Sequence, residues 1–360
     1  MFMQYMTNSK QYITIHSHKY RISFKHRISS PHAHYIFRVE EKKKCANMSS
    51  DDPLGSLGFR RNPDGSVSRA IEMAKTPASA DPNAAAPVLS KDVPLNPSTN
   101  TSLRLFLPRT TLDPATTGPT LLPLIIYAHG GGFIILSAAS AVCHHFCSTL
   151  ALSTPAVVAS VEYRLAPEHR LPAAYEDCMQ ALSWARTTTD DWIVNYADRS
   201  CCYLMGTSAG GNIALHVALH ADDLIKGLIL HQPFFGGVER TASEMRLADN
   251  KILPIQATDL MWEMALPAGA DRDHEYCNPM RRKGLDVIKE KGWKVAATSC
   301  GGDPLVDRQK EVEKALEGKG VAVVSKYVDG EYHGYDLLEP SKAELIMSAV
   351  KETIQLSTTN

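Results

Sequence analysis

The stretch that decides the fold reads Leu204-Met205-Gly206-Thr207-Ser208-Ala209-Gly210-Gly211, with a glycine two residues before and two residues after the serine. An apolar run over 201–205 precedes this G-x-S-x-G pattern, and a helix-like run over 212–220 follows it. A serine on a sharp turn from strand to helix exposes its hydroxyl above the sheet edge, and the two glycines leave the room that such a turn needs. The pentapeptide is common by chance, but its position between a strand and a helix predicts a nucleophilic Ser208.

Composition and charge exclude several classes of protein. The chain has 360 residues, 44% of them hydrophobic, which suits one large α/β domain or two average domains. Residues 1–47 hold nine Lys/Arg against two acids, a charge of +7, so the net charge of −1 leaves −8 on the remainder. We therefore expect no nucleic-acid partner. No apolar run is long enough to span a bilayer, so we expect no membrane attachment either.

The eight cysteines are scattered without the C-x-x-C pairs of a metal site. This pattern predicts buried, reduced thiols, no bound metal and a cytoplasmic location. No secretory signal is visible, because the N-terminus lacks an apolar core.

Residues 1–47 differ in composition from the rest of the chain. They contain no acid before Glu40 and show little hydrophobic period. We predict a disordered extension there, followed by a single domain over 48–360, with Met48 as a candidate biological start. A basic, acid-poor leader can also be a transit peptide, so organelle import remains the alternative.

From residue 103 onward strands and helices alternate, which predicts a mostly parallel sheet with helices on both faces. Strands are expected at 103–108 (half-buried), 121–128, 156–161, 201–205, 227–231, 294–299 and 322–328, and helices at 139–152, 172–186, 212–220, 305–318 and 340–354. A mainly helical stretch over about 236–291 interrupts the alternation. Together with an N-terminal arm over 54–100, it is expected to cover the catalytic edge as a cap.

A glycine run follows directly on the apolar strand at 121–128 and reads His129-Gly130-Gly131-Gly132-Phe133. Consecutive glycines leave backbone N–H groups uncovered, and such donors stabilise the oxyanion that forms during acyl transfer. We assign the N–H groups of Gly131, Gly132 and Ala209 to an oxyanion hole, with His129 shaping the loop. A phosphate-binding loop is disfavoured, because the run lacks the Walker lysine and the G-x-G-x-x-G spacing.

A serine nucleophile needs a base, and the base needs an acid that orients it, in the chain order Ser, Asp, His. Asp303 lies just past a predicted strand, where a carboxylate reaches the catalytic edge, and is the predicted acid. Asp307 lies about one helical turn further and is expected to be a solvated acid near a helix N-terminus. His333, in the loop between the last strand and the last helix, is the predicted base.

Three phenylalanines lie close in sequence to these residues. We expect Phe133, Phe234 and Phe235, with residues of the cap, to line a substrate pocket. Their apolar side chains favour small or medium acyl and alcohol groups.

The motifs HGGGF, YRLAPEHRLPAAYED, GTSAGGN and GDPLVDR, with the late histidine, resemble the hormone-sensitive-lipase group of α/β-hydrolases. More narrowly, the stretches DPLGSLGFRRNPDGSVSR and LPAGADRDHEYCNP are similar to plant carboxylesterases. The resemblance runs from about Asp52 to the C-terminus. It implies an α/β-hydrolase fold with a mostly parallel eight-stranded sheet and a helical cap, and a cofactor-free serine carboxylesterase acting on small-molecule esters. One departure is Thr207, where the family usually has Asp or Glu.

Two relatives of that group supply alternative functions. Gibberellin receptors share the fold and bind a hormone without hydrolysis, but they lack the catalytic histidine that His333 supplies here. Related 2-hydroxyisoflavanone dehydratases use the same pocket for elimination. The complete set of serine, aspartate and histidine favours ester hydrolysis over both.

Removal of residues 1–47 is expected to leave folding and catalysis intact, because every predicted catalytic residue lies beyond residue 128. A chain that starts at Met48 should melt within a few degrees of the full chain and hydrolyse the same esters at similar rates, as measured by thermal unfolding and ester turnover. If the segment were a structural strand or lid, its loss would expose apolar surface and cost several kcal/mol, on the order of ten degrees in Tm. Such a fall would refute the prediction.

Overall fold

The computed structural model describes residues 10–16, 20–27, 34–41, 53–64, 67–83, 85–112, 121–221 and 223–358. The chain divides into two compact units, Met1–Ala74 and Lys75–Asn360.

The first unit contains an antiparallel sheet with the strand order β1-β2-β3, followed by a short helix and a hairpin. The elements are β1 Lys10–His16, β2 Tyr20–Arg27, β3 His34–Glu41, α1 Pro53–Ser56, β4 Phe59–Arg61 and β5 Val67–Arg69. The structure thus describes strands in three stretches of the segment 1–47, for which we expected disorder, and the rest of that segment, with Met48, lies outside the described residues. Tyr20-Arg21-Ile22-Ser23-Phe24 shows why, because aromatic and β-branched residues alternate there with polar ones as in strands.

The second unit is built on an eight-stranded sheet with the order β13-β12-β11-β10-β8-β9-β7-β6. Its strands are β6 Val88–Asn96, β7 Thr101–Pro108, β8 Leu122–Ala128, β9 Val157–Glu162, β10 Ala197–Thr207, β11 Ile225–His231, β12 Lys294–Cys300 and β13 Ala322–Val328. β7 pairs antiparallel with both β6 and β9, and the other pairs are parallel. The predicted mostly parallel, eight-stranded sheet is confirmed.

The edge strand β6 lies in the stretch that the sequence analysis assigned to a covering arm, so residues 88–96 belong to the sheet and not to a cap. Because β6 covers the outer edge of β7, β7 is an interior strand. All of its residues except Ser102 are buried, on both faces, including Arg104 at 4% exposure, where we expected a half-buried strand. Arg104 is tolerated there because its guanidinium is paired with Asp92 at 2.7 Å.

Helices cover both faces of the sheet. The helices of the second unit are α2 Ala141–Ser153, α3 Ala173–Thr187, α4 Asp191–Tyr196, α5 Ala209–Ala218, α6 Ala242–Arg246, α7 Ile255–Ala265, α8 Asp286–Glu290, α9 Val306–Gly318, α10 Tyr335–Leu338 and α11 Glu344–Thr358. Ile125 and Tyr127 of β8 share one core with α2 and α11. Alternate residues such as Ile126 point to the opposite face, where α3 and α5 contact the strands. Within the described ranges, no helix is long and apolar enough to cross a membrane.

The stretch over 236–291 is less helical than expected. It holds the short helices α6, α7 and α8 and one 3₁₀ turn at Pro279–Arg281, joined by loops that make up more than half of it. Prolines and glycines such as Pro267 and Gly269 explain the difference, because they end helical runs.

Candidate active site

Ser208 lies on the turn between β10 and α5, as the G-x-S-x-G pattern predicted. Its φ of 55° and ψ of −118° are unusual for a residue with a side chain. A Cβ atom at position 206 would overlap the carbonyl oxygen of Gly210, and one at position 210 would overlap the carbonyl oxygen of Ala128. Both glycines are required because the backbone approaches itself this closely.

Backbone hydrogen bonds hold the serine in this conformation. Its N–H donates to the carbonyl oxygen of His231 at 2.9 Å, and its carbonyl oxygen accepts from the N–H of Phe234 at 2.8 Å. A strained backbone conformation persists only where its surroundings fix it in this way.

The structure brings together the three residues that the sequence singled out as nucleophile, base and acid. His333 Nε2 lies 2.8 Å from the Oγ of Ser208, and His333 Nδ1 lies 2.7 Å from the Oδ2 of Asp303. An ionised carboxylate can only accept, so Nδ1 carries the hydrogen and Nε2 is left with a lone pair facing the serine hydroxyl.

Asp303 is fully buried, and its carboxylate accepts two further hydrogen bonds. Its Oδ1 accepts from the backbone N–H of Leu305 at 2.9 Å, and its Oδ2 accepts from the side-chain amide of Gln309 at 2.7 Å. Gln309 was not among the residues predicted from the sequence. Its signal was present, because Gln309 lies with Val306 and Val312 on the buried face of α9, where a polar residue needs a partner.

Asp307 has a different role from the one that we expected. It does lie in the first turn of α9, but its carboxylate is half-buried and accepts from the backbone N–H of Ser243 at 2.7 Å. The hydroxyl of Ser243 in turn donates to the carbonyl oxygen of Pro304 at 2.7 Å. Asp307 therefore fastens α6 to α9 and does not reach the histidine as Asp303 does.

The glycine loop takes its shape from His129, as predicted. The His129 ring stacks on Tyr163 with centroids 4.2 Å apart, and its Nδ1 lies 2.8 Å from the carbonyl oxygen of Gly130. The Tyr163 hydroxyl donates to the His129 carbonyl oxygen at 2.8 Å. Burial lowers the pKa of His129 to about 4, so the ring is neutral at neutral pH. A carbonyl oxygen can only accept, so the ring Nδ1–H donates to that of Gly130.

The loop lies beside the nucleophile. A Cβ atom at Gly130 would stand 3.3 Å from the Cβ of Ser208. Gly131 and Gly132 have φ values of 102° and 60°, which glycine adopts without strain. Within the part of the chain that the structure describes, no protein acceptor takes up the N–H of either glycine or of Ala209. Their use as oxyanion donors stays a prediction.

Two of the three predicted pocket residues lie in an aromatic cluster with Trp262 of α7. The Phe234 ring stacks on Trp262 at 4.6 Å, and Phe133 lies 5.4 Å from Trp262 and 6.1 Å from Phe234. Phe235 is fully buried as well. Next to Trp262, Met261 lies so close to Gly132 that a Cβ atom there would overlap its sulfur. α7 therefore packs on the glycine loop, and the lining of the pocket by the phenylalanines stays a prediction.

Comparison with known proteins gives the family. A family model described as the alpha/beta hydrolase fold matches residues 125–337. The chain belongs to this family. Carboxylesterase 20 of Arabidopsis thaliana is 44% identical over 315 residues, which cover 84% of this chain and 96% of that protein. The 3-O-acetylpapaveroxine carboxylesterase CXE1 of Papaver somniferum is 44% identical over 281 residues, 74% of this chain and 88% of that one.

Solved structures agree with this α/β-hydrolase assignment. The hyperthermophilic esterase of Pyrobaculum calidifontis superposes with a TM-score of 0.62 at 26% identity, covering 76% of this chain and 83% of that one. The chain is a carboxylesterase of the plant, hormone-sensitive-lipase-like group, as its motifs predicted. Ser208, Asp303 and His333 lie in the turns that follow β10, β12 and β13 of this fold.

A paired substitution separates the two acidic residues of the 303–307 stretch. Asp303→Asn should lower kcat by about 10³-fold or more, because the amide no longer holds His333 in the required tautomer. Asp307→Asn keeps an oxygen that can accept from Ser243, so its kcat should stay within about threefold of the wild type. Turnover of p-nitrophenyl acetate measures both, and a reversed order would move the acid to Asp307.

Proposed function

We propose that Ser208, His333 and Asp303 form the catalytic triad of this carboxylesterase and that hydrolysis passes through an acyl-enzyme on Ser208. The observation that carries the proposal is the continuous set of contacts from the serine hydroxyl through the imidazole to the buried carboxylate, at 2.8 and 2.7 Å. These distances are within the reach that proton transfer requires.

In the first half of the reaction, the Ser208 oxygen attacks the ester carbonyl while His333 Nε2 takes the serine proton. The tetrahedral intermediate collapses, the bond to the alcohol oxygen breaks, and the imidazolium returns the proton to the leaving alcohol. In the second half, His333 takes a proton from water as the water oxygen attacks the acyl-enzyme carbonyl. The bond to the Ser208 oxygen then breaks, the imidazolium returns the proton to that oxygen, and the acid leaves. Asp303 stabilises the imidazolium in both halves.

The N–H groups of Gly131, Gly132 and Ala209 are the proposed oxyanion donors. Two facts support this role, since the glycine loop lies against Ser208 and these donors have no protein acceptor among the described residues. Preorganised donors of this kind each lower the barrier by about 3 kcal/mol. Substitution at Gly132 would also displace Met261, so the donors cannot be tested by side-chain replacement there alone.

The proposed substrates are small to medium carboxylic esters. The support is the apolar cluster of Phe133, Phe234 and Trp262 beside the glycine loop, with Met261 against Gly132. One relative is named for an acetylated plant metabolite, 3-O-acetylpapaveroxine. Rates on p-nitrophenyl esters of increasing acyl length, beside a panel of acetylated plant metabolites, would define the acyl group.

The two alternative functions fit the site less well. Hormone binding without hydrolysis does not require a base at 2.8 Å from the serine hydroxyl, and an elimination does not require a nucleophilic serine on a strained turn.

We also propose that the enzyme acts in the cytoplasm, because its scattered cysteines suit a reducing compartment. Import of a reporter fused to residues 1–47 into an organelle would contradict that location.

Ser208→Ala should abolish esterase turnover and leave the fold intact, because the hydroxyl contributes little packing at the turn. The expected fall in kcat is on the order of 10⁴ to 10⁶. Ser348→Ala is the matched control, since Ser348 is exposed on α11 and should retain full activity. Full activity of Ser208→Ala, at an unchanged melting temperature, would refute the triad.

A further inference from the structure

The segment His231–Phe234, which begins at the last residue of β11, contacts the supports of all three proposed catalytic residues. His231 and Phe234 hold the backbone of Ser208 through the two hydrogen bonds described above. Between them, the carbonyl oxygen of Pro233 lies 3.4 Å from the side-chain nitrogen of Gln309, which donates to Asp303. One short segment thus touches the nucleophile directly and the acid through Gln309.

Gln232 connects the same segment to the base. Its side-chain oxygen accepts from the N–H of Gly334, the residue after His333, at 2.6 Å. Its own N–H donates to the carbonyl oxygen of Thr298 on β12 at 3.0 Å. Gln232 is 1% exposed and has a φ of 44°, in the left-handed region that residues with side chains rarely adopt. A strained and buried glutamine whose amide oxygen meets the loop of the base calls for a functional explanation.

A second contact reaches the loop of the base from His231. Its Nε2 lies 2.8 Å from the Oδ2 of Asp336, and both side chains are fully buried. Its Nδ1 lies 2.5 Å from the Oγ1 of Thr298, which fixes the ring on the sheet. Asp336 stands three residues after His333. On the other side of His333, the carbonyl oxygen of Glu331 accepts from the N–H of Gly302 at 2.8 Å.

We propose that Gln232 and the His231–Asp336 pair are positioning residues that fix the loop of His333 relative to Ser208. This inference rests on the proposed function. Both residues meet the loop of the base away from the reacting atoms, Gln232 at the N–H of Gly334 and His231 at the carboxylate of Asp336. Their effect is on geometry, and a displacement of about 1 Å at a catalytic group costs on the order of 10²-fold in rate.

Two substitutions at Gln232 separate positioning from bulk packing. Gln232→Met keeps the length of the side chain and removes the acceptor for the Gly334 N–H. Gln232→Glu keeps a carboxyl oxygen that accepts in either protonation state. For p-nitrophenyl acetate we expect kcat of the Met variant to fall by about 10- to 100-fold with KM within about threefold. The Glu variant should return kcat to within about threefold to fivefold of the wild type.

Thermal unfolding of each variant and the kcat of Ser208→Ala are measured in the same experiment. If Gln232→Met has wild-type kcat while Ser208→Ala is inactive, the positioning role is overturned and the triad stands. If Ser208→Ala is itself active, both proposals fail. Equal losses of kcat in the Met and Glu variants would also overturn the positioning role, because the acceptor would then have no effect.

Asp336→Asn provides a second test of the positioning role if the Gln232→Met variant does not fold. It keeps the oxygen that accepts from the N–H of Leu337 at 3.1 Å and removes the carboxylate partner of His231. The expected result is again a fall in kcat by about tenfold or more with little change in KM. Wild-type kcat in this variant would overturn the contribution of the pair.

Discussion

The close approach of Gly210 to the carbonyl oxygen of Ala128 is the constraint on which the site depends. It leaves no room for a side chain at position 210, and the same holds at Gly206 against Gly210. The first turn of α5 is thereby pressed against the ends of β8 and β10, and Ser208 is forced to a φ of 55°. The serine hydroxyl can then point away from the sheet. It lies beside the glycine loop, because that loop begins at His129, the residue after Ala128.

The rest of the site follows from the parallel sheet. Five neighbouring strands, β8, β10, β11, β12 and β13, end at one edge, since parallel strands share their direction. The glycine loop and Ser208 directly follow β8 and β10, and the segment His231–Phe234 begins at the last residue of β11. Asp303 and His333 lie three and five residues after the ends of β12 and β13. Backbone and side-chain amide hydrogen bonds fix these loops to one another. The proposed site residues are therefore held on a rigid frame, against which α7 packs.

The sequence predicts the proposed catalytic residues better than it predicts the residues that support them. Ser208 and the glycine loop can be predicted because short sequence motifs specify their local backbone conformation. Asp303 and His333 can be predicted because each follows a strand that the sequence itself indicates. Gln232 gave no such signal, since its partner Gly334 lies 102 residues away. β6 was missed because Pro94 and the charged residues before it are unfavourable in most strands. Such a sequence is tolerated in a strand at the edge of a sheet.

The central claim is that the strained turn makes Ser208 the nucleophile, and covalent labelling tests it most directly. A phosphonate ester with a p-nitrophenyl leaving group forms a stable adduct with a nucleophilic serine, so turnover cannot erase the label. Intact mass and peptide mapping after inactivation should show a single phosphonyl group on the peptide that contains Ser208, with activity lost in proportion to labelling. Inactivation with the group on another residue, or full activity after Ser208 is labelled, would contradict the account.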